Sequence, residues 1–155
     1  MEKSTKKGEL YLVCQNIRSL FNVGALFRTA DVFGVDKVYL AGYTAKPPRP
    51  EISKTALGAE KWISWEQQGQ AVRLLKKLKK AGVKIVVLEI HRRGVSLSKF
   101  KPRFPLALVV GNEVSGVTKP VLKLADEIVK IPMLGKKESL NVAVATGIAL
   151  YQLRN

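Results

Sequence analysis

The chain has 155 residues, a length that suits one domain, and 46% of them are apolar, enough for a proper core. Its 27 Lys and Arg stand against 12 Asp and Glu, a formal charge of +15, which points to nucleic acid before an anionic membrane or a merely solubilising, heat-adapted surface. No apolar run reaches the ~18 residues of a spanning helix, the charged start MEKSTKKGEL leads into no signal-length apolar segment, and Cys14 has no second cysteine to pair with, so a soluble cytoplasmic protein with RNA as its partner is expected.

In chain order, the apolar run Leu10 to Gln15 reads as a buried strand carrying Cys14 as a core thiol. From Asn22 to Phe33, Val23, Leu26, Phe27, Ala30 and Phe33 recur at helical spacing, with Gly34 as the stop. DKVYLAG is the next strand, and the Pro-rich TAKPPRPE behind it is a loop because each Pro lacks an amide donor. A helical turn from Ser53 and a short strand at Lys61 to Ser64 are expected next. In QAVRLLKKLKKAG the stripe Val72, Leu75 and Leu78 faces inward, and Arg73, Lys76, Lys77, Lys79 and Lys80 face water. VKIVVLEI is a strand, HRRGVSLSKFKPRF a basic loop, and PLALVVGNE another strand; the two β-branched runs suit central parallel strands covered on both faces. Thr118 is placed to cap a short helix KPVLKLAD, EIVKIPM is the last strand, and SLNVAVATGIALYQL is a closing helix with Ser139 near its start. The alternation predicts a single α/β domain over residues 1–155, with a mostly parallel sheet of about five or six strands flanked by helices.

In such sheets ligands gather at the carboxyl edge, where helix N-termini present free amides. Three expected edges carry unusual polar residues: CQNIRSLFNVG with Asn16, Arg18, Asn22 and, further along the helix, Arg28; GNEVSG with Gly111, Asn112 and Glu113; and PMLGKKESLN with Gly135, Ser139 and Asn141. Neither G-x-G-x-x-G nor G-x-x-x-x-G-K-[ST] occurs, which disfavours a nucleotide-binding oxidoreductase or an NTPase, and the absence of Cys and His clusters argues against a usual zinc or other metal site.

The three stretches resemble, in order and spacing, the three motifs of the SpoU branch of the SPOUT superfamily, knotted RNA methyltransferases that act on ribose 2′-hydroxyls. Asn22, Gly24 and Arg28 within NVGALFRTAD are similar to the first motif, Asn112, Glu113 and Gly116 within LVVGNEVSG to the second, and Ser139 and Asn141 within IPMLGKKESLNVAVATGIALY to the third. The likeness runs from about Leu10 to Leu153. It implies a C-terminal deep trefoil knot, which periodicity could not show and which the rarity of knots would argue against. It also implies S-adenosylmethionine as cofactor and a homodimer whose active site draws on both subunits.

By this resemblance Arg28, Asn22, Glu113, Ser139 and Asn141 form the catalytic set, and Leu88, Gly111, Ile131, Met133, Ser139 and Leu140 wall the cofactor pocket. Arg28 matches an arginine assigned either as base or as binder of the ribose phosphate; a guanidinium with a pKa above ~12 is a poor base, so phosphate binding is the expected role. Asn22 is expected to hold Arg28 or the ribose, and Glu113 to fix Arg28 or a group of the other subunit by charge-assisted hydrogen bonds. Plainer uses compete with these: Asn22, Ser139 and Asn141 also suit helix capping, Glu113 an ordinary salt bridge, and Leu88, Ile131, Met133 and Leu140 simple core. His91, the only histidine, falls outside the motifs and reads as an exposed loop residue or RNA contact. Arg18 and the basic-loop residues Arg92, Arg93, Lys99, Lys101 and Arg103 are candidates for RNA phosphates.

The reading in a different class is a non-catalytic basic RNA-binding or assembly protein on the same fold, and retention of Asn22, Arg28, Glu113, Ser139 and Asn141 together speaks for the enzyme. The chain reads as a minimal catalytic core. Minimal members of the family typically modify transfer RNA, some at the wobble position, so transfer RNA is favoured over ribosomal RNA.

Overall fold

The computed structural model describes residues 8–155, so the charged first seven residues of the sequence lie outside it. The elements are β1 (Leu10–Gln15), α1 (Leu20–Val32), β2 (Lys37–Ala41), α2 (Pro50–Ala56), α3 (Ala59–Trp62), β3 (Trp65–Gln68), α4 (Ala71–Lys80) and β4 (Lys84–Leu88). They are followed by β5 (Val95–Ser96), a 3-10 turn (Leu97–Lys99), β6 (Leu106–Val110), α5 (Lys119–Lys123), β7 (Glu127–Lys130) and α6 (Val142–Arg154). All seven strands pair in parallel, in the order β3-β2-β1-β6-β4-β7-β5.

The strands read as continuous apolar runs because both faces of the sheet are covered. Successive side chains alternate between faces: Leu10, Leu12 and Cys14 of β1 join Leu106, Leu108 and Val110 of β6 against α1, α2 and α6. Val13, Ala107, Val109, Ile85 and Val87 point the other way, onto Leu74, Leu75 and Leu78 of α4 and Val121 of α5. Cys14 is buried in the first of these layers, and burial pushes its thiol up to about 12, as expected of a core cysteine. The end of α6 is tied back to the start of the sheet by Arg154, whose guanidinium donates to the carbonyls of Gly8, Phe33 and Gly34 and lies 3.8 Å from Asp36.

Several local expectations are corrected. The sheet has seven strands rather than five or six, because β3 is a half-exposed edge strand of sequence WEQQ and β5 is only two residues inside the basic loop; neither carries an apolar period. Lys61 to Ser64 is not a strand: Lys61 sits in α3, and the strand begins at Trp65. The helical turn expected from Ser53 starts instead at Pro50, which occupies the first helical position where a missing amide costs nothing. α1 begins at Leu20 rather than Asn22, because the Ser19 hydroxyl accepts from the amide of Asn22 and caps the helix. On α4 Leu75 and Leu78 face inward as expected, Leu74 joins them, and Val72 is only half-buried. Thr118 precedes α5 but does not cap it; its hydroxyl accepts from Gln15 Nε2 and its amide donates to Gln15 Oε1.

Gly24 lies where α1 crosses α2, and a Cβ there would stand 2.1 Å from Thr55 Oγ1 and 2.2 Å from the carbonyl oxygen of Ile52. Thr55 uses that hydroxyl to donate to the carbonyl of Phe21, stitching the two helices. Alanine would gain up to ~1 kcal/mol of helix propensity but must push α2 away. Gly24→Ala is therefore expected to destabilise the fold by about 1–3 kcal/mol net in urea unfolding; equal or higher stability would show that the two helices separate at no cost.

Candidate active site

Three loops leave the carboxyl edge of the sheet beside one another: the one after β1, the one after β6 and the one after β7. The first is shaped by Asn16, held at φ 56°, whose amide donates to the carbonyl of Ala41 and whose Oδ1 accepts from the amide of Tyr43. The second turns back on itself, Asn112 and Gly116 exchanging both backbone hydrogen bonds, with Gly116 at φ 71°. Gly111 packs against this turn so tightly that a Cβ would come within 2.4 Å of the Gly116 carbonyl carbon and the Val117 nitrogen, so no other residue fits.

The loops are joined by side chains. Glu113 accepts from the amides of Arg18 and Ser19, both at 2.9 Å, and from Asn22 Nδ2 at 3.1 Å. Asn22 Oδ1 accepts in turn from Asn141 Nδ2 at 3.2 Å, and Asn141 Oδ1 caps α6 by accepting from the amides of Ala143 and Val144. Asn112 uses its whole amide: Nδ2 donates to the Asn16 carbonyl and the Tyr43 hydroxyl, and Oδ1 accepts from the amides of Val114 and Ser115. Partial burial by itself would raise the Glu113 pKa, but the amides of Arg18 and Ser19 and the side chain of Asn22 favour the charged form and bring it below the usual carboxylate range.

Beside this chain of hydrogen bonds opens a cavity of about 610 Å³. All six residues expected to wall the cofactor pocket line it: Leu88, Gly111, Ile131, Met133, Ser139 and Leu140. Three carboxylates, Glu89, Glu113 and Glu138, also line it, and no Lys or Arg does. Apolar walls with an anionic rim and a hydroxyl at Ser139 suit a ligand with a flat apolar body and a net positive charge, which describes S-adenosylmethionine with its sulfonium and ammonium groups. Among the described residues no group of three His, Cys, Asp or Glu side chains is placed to hold a metal ion.

The remaining expected residues are less closely gathered. Arg28 is exposed on α1, and among the described residues neither Asn22 nor Glu113 nor any other side chain pairs with it, so of the alternatives expected for Asn22 and Glu113 the hold on Arg28 is not seen within this chain. Asn22 and Glu113 instead bind each other, the start of α1 and Asn141. Asn141, not Ser139, starts α6; Ser139 stands three residues before the helix on an exposed loop. The basic residues do not form one footprint. Arg18 follows β1, and Arg92 and Arg93 sit in the turn after β4, beside the end of β7. Lys99, Lys101 and Arg103 line a different cavity. His91 is half-buried rather than exposed, its Nδ1 accepting from the amide of Arg93 to form that turn.

Two residues escaped the sequence reading. Glu89 lines the cavity and accepts from the amide of Val117, clamping the far end of the loop after β6. A carboxylate directly behind the apolar run VKIVVL is the same signal that marked Asn112 and Glu113. Tyr43, an exposed residue whose hydroxyl accepts from Asn112 Nδ2, stands behind DKVYLAG with nothing in its local pattern to mark it.

Since the folded pKa of Glu113 is depressed, its contribution to stability is present above the unfolded carboxylate pKa and lost as pH falls through the folded one. Glu113→Gln is expected to be less stable than the wild type at pH 7 and to lose less on acidification toward pH 3, as followed by thermal unfolding across pH. Parallel acid limbs for the two proteins would mean that the carboxylate is not the charged centre of this network.

The family model of the SpoU rRNA methylase family matches residues 9–151. A tRNA (guanosine(18)-2′-O)-methyltransferase of Aquifex aeolicus is 35% identical over 153 residues, covering 98% of this chain and 71% of that protein. The crystal structure of an AdoMet-bound rRNA methyltransferase from Sinorhizobium meliloti superposes with a TM-score of 0.89 at 28% identity, over 97% of this chain and 57% of that one. A structure described by its insights into the 2-OH methylation of C/U34 on tRNA gives a TM-score of 0.83 at 27% identity and covers 94% of both chains. With a match over nearly its whole length, the chain belongs to the SpoU rRNA methylase family.

Proposed function

We propose that the protein is an S-adenosylmethionine-dependent methyltransferase acting on a ribose 2′-hydroxyl of RNA, with transfer RNA as its substrate, and that it works in the cytoplasm as a homodimer with the C-terminal trefoil knot that the family resemblance implies. The observation that carries this reading is the juxtaposition of the anionic, apolar-walled cavity with the Glu113–Asn22–Asn141 chain at the sheet edge. The likeness to a tRNA 2′-O-methyltransferase of Aquifex aeolicus and to a tRNA-modifying fold of nearly equal length supports transfer RNA over ribosomal RNA.

S-adenosylmethionine, when bound, supplies an electrophilic methyl group on a sulfonium. The chain's own residues do the rest. Leu88, Ile131, Met133 and Leu140 exclude water from the cavity, and Glu89, Glu113 and Glu138 give it a potential that favours a cation. Glu113 cannot serve as a free base, because both carboxylate oxygens are occupied by Arg18, Ser19 and Asn22; it holds the loops in register. Arg28, exposed and unpaired among the described residues, is the cation available to a substrate phosphate near the reacting ribose, and its role is to position that ribose for in-line attack. Ser139, on the cavity wall, presents a hydroxyl to the ribose or cofactor.

The dimer reading rests on α6. Val144, Ile148 and Tyr151 recur at helical spacing and are 52%, 42% and 58% exposed, with Leu140 just ahead of the helix and Phe21 on the neighbouring α1 also exposed. A second copy covering this face would bury it next to Asn141 and Arg28.

Two experiments test these readings. Radiolabelled methyl transfer to bulk transfer RNA and, separately, ribosomal RNA is expected to yield 2′-O-methylated nucleosides from transfer RNA. Arg28→Ala is expected to lower kcat/KM by about 100-fold or more while cofactor affinity holds, since Arg28 does not line the cavity. A wild-type protein that binds RNA but no S-adenosylmethionine would instead be a non-catalytic RNA-binding protein. For the dimer, analytical ultracentrifugation should show a twofold mass that Ile148→Asp converts to the monomer; a wild-type monomer at all concentrations would refute it.

A further inference from the structure

A second cavity, of about 640 Å³, shares no residue with the first. It opens at the opposite, amino edge of the sheet, where Lys84 begins β4, Leu106 begins β6 and Glu127 begins β7, and it is roofed by the segment carrying Lys99, Phe100, Lys101 and Arg103. Lys84 and Leu88 mark the two ends of β4, so the cavities lie about 13 Å apart along that strand at ~3.3 Å per residue.

The two cavities are opposite in charge. The first is lined by three carboxylates and no cation; the second is lined by Lys84, Lys99, Lys101 and Arg103. Among the described residues none of these four lies within 4 Å of a carboxylate, and only Lys84 is close enough to one, Asp126, to help hold it charged. Asp126, which also lines the second cavity, is already committed: Oδ2 accepts from the amide of Ile85 at 2.8 Å and Oδ1 lies 3.2 Å from Lys79 Nζ. Glu127 is the other carboxylate. The apolar lining of this cavity is the buried Val86 and Leu106, the half-buried Phe100 and the exposed Val95. Cations on long side chains around an apolar lining suit a sugar-phosphate chain, the phosphates meeting the ammonium and guanidinium groups and the sugars the lining.

We infer that this amino-edge cleft is a second docking site for the phosphate backbone of the substrate RNA, one that anchors the RNA away from the nucleotide being modified. The inference rests on the reading of the protein as an RNA methyltransferase and adds a location and a division of labour to it. The carboxylate-lined cavity has no Lys or Arg with which to hold phosphate, so affinity for the polyanion comes from elsewhere, and the amino-edge cleft gathers four cations on one surface, three of them, Lys99, Lys101 and Arg103, with no carboxylate partner among the described residues. Because that surface lies at the far end of the sheet from the reacting groups, it contributes to binding and not to the chemical step.

The test is the triple variant Lys99→Ala/Lys101→Ala/Arg103→Ala of the full chain, all three side chains being exposed. With bulk transfer RNA as the probe, its KM is expected to rise about tenfold or more, with kcat at saturating RNA and affinity for S-adenosylmethionine within twofold of the wild type. The slope of log Kd against log salt should become shallower by about 2–3, one increment of ~0.7–0.9 for each phosphate that is no longer neutralised. Glu127→Lys is the converse variant, expected to tighten RNA binding and steepen the slope by about one; it tests the site even where the triple variant folds poorly. Unchanged slopes in both variants, alongside an active wild type, would overturn the inference and leave the methyltransferase reading intact. A fall in kcat with no change in KM would also overturn it, by placing the loop in the chemistry. A wild type that methylates no RNA would sink the reading on which it rests.

Discussion

The carboxylate of Glu113 is the tie on which the site depends. It stands on the loop after β6, yet the donors it accepts from belong to the turn after β1 and the first turn of α1, more than ninety residues earlier in the chain. A carboxylate holding two backbone amides and a side-chain amide gains more than a neutral acceptor would, and it simultaneously satisfies amides at a helix start that have no partner within the helix. Through Asn22 the same tie reaches Asn141 and the start of α6. One charged group thus fixes the relative position of the three loops that leave the carboxyl edge, and the cavity walls follow from that placement.

The sheet makes this possible because it leaves the edge little freedom. With both faces covered, the strands cannot slip by one residue without exposing a whole row of apolar side chains, so the points at which the loops emerge are fixed by the core. The loop after β6 is then held at both ends: Asn112 is bound to Asn16 and Tyr43 at one side, and Val117 and Thr118 to Glu89 and Gln15 at the other. Within such a frame the carboxylates can face inward around a cavity while the large positive charge of the chain is carried elsewhere. A strongly basic protein can therefore keep an anionic pocket for a cationic ligand and still attract a polyanion.

Much of this was legible in the sequence, and the limits are physical. β1 and the strand VKIVVL could be read because continuous β-branched and aliphatic runs bounded by polar turns have few other uses in a short chain. WEQQ could not, because an edge strand that is half exposed needs no apolar period. The motif residues of the site were legible through the family resemblance, and the cavity gathers the residues expected to wall it. What they bind within the chain was not legible: Asn22 and Glu113 were expected to hold Arg28, the ribose or a group of the other subunit, and their contacts to backbone amides and to Asn141 are ones that side-chain types alone do not announce. Gly24 shows the same divide. Its place in the first motif was visible, but its reason, the close crossing of α1 on Thr55 and Ile52, lies some thirty residues away.

Arg28 stands outside this network of donors and acceptors. Asn22 gives its amide nitrogen to Glu113 and its oxygen to Asn141, and Glu113 spends both oxygens on the loop it supports. Among the described residues no side chain pairs with the Arg28 guanidinium. A long cationic side chain left free costs the folded state little, since it keeps its hydration and its rotamer freedom, but it offers a full charge to the first anion placed against it. Order is invested in the groups that must keep the loops still, and the cation proposed to meet the phosphate beside the reacting ribose is left to be ordered by it. Positioning strength would then appear only when RNA is bound, the condition under which interaction energy can favour reaction over mere binding.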